Sequence, residues 1–91
     1  MKSYFLEGLI DKQSARSELS KALPNQVDPW LLKSQGGDAI AYFSIANDED
    51  GSLWIQADVS GRHFDQDSSV LKVLRELQLQ LGGTICDDTR D

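Results

Sequence analysis

The stretch Leu53-Trp-Ile-Gln-Ala-Asp-Val59 alternates with a period of two, and it constrains the fold more than any other part of the chain. Leu53, Ile55, Ala57 and Val59 make one apolar face, while Trp54, Gln56, Asp58 and Ser60 make the other. A half-buried strand is the element that hides one such set and leaves the other outside. Upstream, Ala39–Ala46 carries Ile40, Tyr42, Phe43 and Ile45 and reads as its partner, apolar on both sides and so undecided about its buried face. The two are joined over Asn47–Gly51, where Asp50-Gly51 is a strong turn pair because glycine takes positive φ at no steric cost. The expectation is a hairpin of residues 39–46 and 52–60.

Helical periods flank the hairpin. After it, Val70, Val73, Leu74, Leu77 and Leu81 make a broad apolar stripe of a helix over 70–81, with Lys72, Arg75, Glu76 and Gln80 outward. Leu79 falls about half a turn from that stripe, among the polar residues. Asp65 or Asp67 suits the helix start, where a carboxylate accepts the first free amides, and Gly82-Gly83 ends it. Thr84-Ile85-Cys86, within 83–87, then reads as a closing strand.

Before the hairpin, Ser3–Ile10 reads as a strand with Tyr4, Leu6 and Ile10 on one face and Phe5, Glu7 and Leu9 on the other. A helix from Lys2 is the competing reading, and Gly8 counts against it. Asp11 caps a helix over 12–23, whose Ala15, Leu19, Ala22 and Leu23 form a narrow stripe. Pro24 stops it. The segment 25–38, with Pro29, Gln35 and Gly36-Gly37, reads as a loop in which Trp30-Leu31-Leu32 folds back as a short helical turn.

Strand, helix, strand, strand, helix, strand in one domain spanning residues 1–91 predicts an α+β fold of the ferredoxin-like βαββαβ type. That fold has a four-stranded antiparallel sheet with two helices on one face. The first and third strands are central in it, and the second and fourth are edges.

Charge separates the halves. The net −6 arises wholly beyond residue 45, from ten acidic against four basic groups, whereas residues 1–45 balance. Such a field repels nucleic-acid phosphates and anionic lipid surfaces and attracts basic proteins. No apolar run approaches the ~20 residues that cross a bilayer, and the start is too briefly apolar for a signal peptide. The single cysteine, Cys86, forms no internal disulfide and suits a reducing compartment, so cytoplasm is the expected location.

Catalytic and metal chemistry find little support. One His and one Cys do not furnish the four ligands of a zinc site. Aligning Gly51 with the sixth place of a calcium loop puts Ala46 first and Ala57 twelfth, where carboxylates are required. No nucleophile elbow, phosphate-cradling loop or dinucleotide fingerprint is present. His63 and Cys86 are expected toward opposite ends of neighbouring elements, and Cys86 reads as a small buried hydrophobe. The reading is a non-catalytic domain with no metal and no cofactor.

Two binding surfaces stand out. Trp54, Gln56 and Asp58 should share the sheet face turned away from the helices with Glu7, Phe5 and Leu9. Together with Asp48, Glu49 and Asp50 in the turn and exposed Leu79, this predicts an acidic surface for a basic protein, or for a second copy forming a homodimer. An aromatic on a sheet also suits stacking of single-stranded RNA, but the acids around Trp54 oppose it. The alternative surface is the loop and helix start at 60–69. There Ser60, Gly61, Arg62, His63, Ser68 and Ser69 could hold a small anion, with Asp65 and Asp67 opposing.

Overall fold

The computed structural model describes residues 2–23, 30–33, 36–60 and 66–87. Their elements run β1 (Lys2–Leu9), α1 (Lys12–Ala22), β2 (Trp30–Lys33), β3 (Ala39–Asn47), β4 (Leu53–Val59), α2 (Asp67–Leu81) and β5 (Thr84–Asp87). The strands form one antiparallel sheet in the order β2-β3-β4-β1-β5. The fold is thus α+β with two helices and five strands. This corrects the four-stranded ferredoxin-like expectation in strand number and order.

The added strand is Trp30–Lys33, expected as a helical turn. Trp30 lies directly across from Phe43 and Leu31 across from Tyr42. Extended backbone here satisfies the amide and carbonyl groups of β3 along that margin, which an isolated helical turn could not do. β3 is therefore interior rather than an edge. Trp30 is 1% exposed. Its indole Nε1–H donates to Ser20 Oγ at 3.4 Å, and the Arg16 guanidinium stands 5.7 Å from the ring centre. One aromatic thereby ties β2 to α1 by burial, a hydrogen bond and a cation–π contact.

Alternation holds along β4, where Leu53, Ile55, Ala57 and Val59 are buried and the residues between them are half-buried. Phe43, Ala41, Tyr4 and Leu6 extend that buried face across the sheet. Helix α1 packs over β3, α2 over β1, β4 and β5, and the helices touch each other. Both therefore lie on one face. Ala15, Leu19 and Leu23 of the first helical segment and Val70, Leu74 and Leu77 of α2 are buried there, with Ala22, Val73 and Leu81 partly so. These are the two predicted stripes.

One face assignment fails, for a local reason. The β1–β4 register shifts between Glu7 and Leu9, at Gly8 with φ +82°. A bulge inserts one residue and reverses the alternation beyond it. Leu9 consequently enters the core, and Ile10, expected beside Tyr4 and Leu6, is 95% exposed.

The helix ends follow capping chemistry in part. The Asp11 carboxylate accepts from Gln13 N at 3.3 Å and Ser14 N at 3.2 Å, as expected of an N-cap. Helix α1 closes with the Leu23 N–H donating to the Leu19 carbonyl, and Pro24 lies outside the described residues. At α2 the cap position belongs to Gln66, and Asp67 is the first helical residue. Asp67 Oδ2 instead accepts the Tyr4 hydroxyl at 2.8 Å, joining α2 to β1. Asp65 lies outside the described residues. Among the described residues no helix is long and apolar enough to cross a membrane.

Candidate functional site

With both helices on one side, the other side of the sheet carries no layer among the described residues. Strand register arranges its side chains in three rows. Leu31, Tyr42, Asp58 and Ser3 form one, Ser44, Gln56, Phe5 and Cys86 the next, and Ala46, Trp54, Glu7 and Thr84 the third. Tyr42 is exposed, and Phe5, Glu7, Trp54, Gln56 and Asp58 are half-buried. The rows hold three aromatics and two carboxylates and no Lys or Arg.

Neighbouring side chains hold the carboxylates in position. Asp58 Oδ1 accepts the Ser3 hydroxyl at 2.6 Å and the Gln56 amide at 3.0 Å. Glu7 Oε1 accepts the Cys86 thiol at 3.6 Å, a weak bond even for sulfur. Cys86 is therefore a half-buried residue of this open face, not the core hydrophobe expected. The acceptor it meets is Glu7; His63 lies outside the described residues.

At one end the face meets the β3–β4 turn. Asp48 N donates to the Ser52 carbonyl at 2.8 Å, and the Gly51 N–H returns to the Asp48 carbonyl at 3.1 Å. Asp50 Oδ1 accepts Ser52 N at 2.9 Å, and Asp48 Oδ1 accepts Glu49 N at 3.0 Å. The Asp50 carboxyl is held below its ordinary value, first by the Ser52 N–H and then by the Ser52 hydroxyl. All three acids, Asp48, Glu49 and Asp50, are exposed.

Asp48, Trp54 and Glu7 border one hollow, together with Phe5, Gln56 and Ser52. A second hollow runs along α1, edged by Asp11, Lys12, Arg16, Ser17 and Ser20. It has charges of both signs and no aromatic wall.

Of the residues singled out in the sequence, Asp48, Trp54 and Asp58 thus share one continuous surface with Glu49 and Asp50 at its end. Leu79 does not join them. It is 83% exposed on α2, with the sheet between it and Trp54. Period-3.6 geometry placed it correctly outside the core but said nothing of which side of the molecule that was. Phe5 lies on this surface as expected from its alternation with Glu7 along β1, whereas Leu9, expected on the same face, is in the core. Tyr42 also belongs to the surface and was not singled out; its signal was cross-strand register with Asp58, which one strand read alone does not supply.

The alternative surface is only partly described. Ser60 donates its N–H to the Ile40 carbonyl at 2.7 Å. Ser68 and Ser69 are exposed in the first turn of α2 beside Asp67. Gly61, Arg62 and His63 lie outside the described residues. Among the described residues no group of three or more His, Cys, Asp or Glu side chains is placed to hold a metal ion. No family model, curated protein or solved structure matches this chain.

Proposed function

We propose that this chain is a non-catalytic protein-binding domain, of the inhibitor, immunity-type or adaptor kind, that receives a basic protein on its open sheet face. The observation that supports it is the make-up of that face. Phe5, Tyr42 and Trp54 lie among Glu7, Asp58 and Asp48, without a Lys or Arg in the three rows. Accessible aromatics supply the desolvated anchors that dominate interface energetics, and acids at the rim speed encounter with a positive surface. A lone cysteine supports a cytoplasmic setting. A second copy of the chain is the weaker occupant, since a homodimer through this face would bring two acidic surfaces together. The alternative, a small anion at Ser60–Ser69, has Asp67 in the same helical turn as Ser68 and Ser69 to oppose it.

The test is capture on immobilised protein from native extract at low and moderate salt. It compares the wild type with Trp54→Ala and with a neutralised variant carrying Asp48→Asn, Glu49→Gln, Asp50→Asn and Asp58→Asn. The expected result is a stoichiometric basic protein that is lost as salt rises and lost with both variants. Retention unchanged by both variants sinks the reading. A melting temperature raised by inorganic phosphate, and no longer raised after Arg62→Ala, would transfer the weight to the anion reading.

A further inference from the structure

We infer that the hollow beside Trp54 is a site for an arginine side chain of the partner protein, an inference that rests on the basic-partner reading above. The hollow lies against the bulge in β1, where Gly8 has φ +82°. Phe5, Glu7, Gln56 and Trp54 wall it, and Asp48 and Ser52 close it at the turn. Glu7 lies directly across from Trp54 in the β1–β4 register, so a carboxylate and an indole border the same space.

The charged and aromatic parts of this lining suit a guanidinium. Two carboxylates repel anions and attract a cation. Among the described residues, no Lys or Arg lines the hollow. The indole attracts a cation over its face. A guanidinium is planar, weakly hydrated and carries five N–H donors in a fork, so it stacks on an aromatic while reaching carboxylate and amide oxygens in its own plane. An ammonium is compact and strongly hydrated and gains less from the aromatic wall. A carboxylate offers about four lone-pair sites, so the Cys86 thiol on Glu7 Oε1 and a bound guanidinium are compatible.

The test uses three blocked amino-acid amides, of arginine, lysine and citrulline, titrated into isotopically labelled protein and followed by NMR. Citrulline has the shape of arginine without its charge. The buried Trp30 indole is an internal reference for fold, and the Trp54 indole reports the site. Arginine amide is expected to shift the Trp54 indole N–H and the backbone amides of Glu7, Gln56 and Asp48 saturably while leaving the Trp30 indole still. Citrulline should shift none of them. Glu7→Gln, with the Trp30 indole signal intact, should weaken the arginine effect about tenfold, as expected for one lost charge-assisted hydrogen bond.

Lysine amide acting as strongly as arginine at the same signals overturns the guanidinium assignment. No movement of the Trp54 indole with any probe overturns the site. In either case a partner still captured by the wild type and lost with the neutralised variant leaves the basic-partner reading standing, so the two failures are distinguishable.

Discussion

Asp11 and Asp50 are both exposed, yet each holds its proton less readily than an ordinary aspartate. Asp11 does so chiefly through the Ser14 hydroxyl and then the Gln13 N–H, and Asp50 chiefly through the Ser52 N–H and then its hydroxyl. Hydrogen bonds to the ionised form favour it. With the folded value depressed below 3.8, the stabilisation is present above that pH and is lost as pH falls through the folded values. The gap in melting temperature between the wild type and an Asp11→Ala, Asp50→Ala variant should therefore be widest near neutrality. It should close as pH drops below the ordinary carboxylate range. Calorimetry across that range checks it, and a gap that stays constant into acid contradicts it.

At the scale of elements, two glycines separate backbone strain from steric exclusion. Gly83 joins α2 to β5 at φ +95°, and a Cβ there would run into the Glu7 carbonyl oxygen. Gly37, in the turn before β3, has φ +91° with nothing within 4 Å of such a Cβ. Gly37→Ala should cost only the left-handed penalty of about 1 kcal/mol. Gly83→Ala adds displacement of β1 backbone and should cost roughly 3 kcal/mol. Denaturant unfolding of the two variants compares them directly, and equal losses would mean that β5 shifts freely against β1.

For the molecule as a whole, the packing of Trp30 decides whether the sheet has four strands or five. Trp30→Ala removes the largest side chain of the core, the Ser20 hydrogen bond and the Arg16 contact together. The expected loss is about 3–5 kcal/mol. That is a large part of the roughly 5–15 kcal/mol that holds a small domain folded. Chemical denaturation measures the loss. Amide exchange should show β3 losing protection along the margin that faces β2 while the β1–β4 pairing persists. A loss below about 1 kcal/mol, the ordinary effect of a point substitution, would contradict this role for Trp30.

The period-two run in β4, the stripes of Ala15, Leu19 and Leu23 and of Val70, Leu74 and Leu77, the Asp11 cap and the Asp50-Gly51 turn were legible because each is a local pattern. One strand, one helical turn or one turn dipeptide contains all the information needed. Trp54 and Asp58 were legible as an outward pair for the same reason. The fifth strand was not, because Trp30-Leu31-Leu32-Lys33 is too short for a period to show and becomes a strand only by pairing with β3. The exchange of Leu9 for Ile10 turned on the conformation of one glycine, and Leu79 proved to lie across the sheet from Trp54. By itself, then, the sequence determined the two helices, the strands other than Trp30–Lys33 and the apolar faces of β4 and of both helices, since these follow from side-chain spacing along a single element. Only the tertiary structure decided strand order, the bulge at Gly8 and the meeting of Glu7, Trp54 and Asp48 around one hollow. Those depend on hydrogen bonds and contacts between segments far apart in the chain.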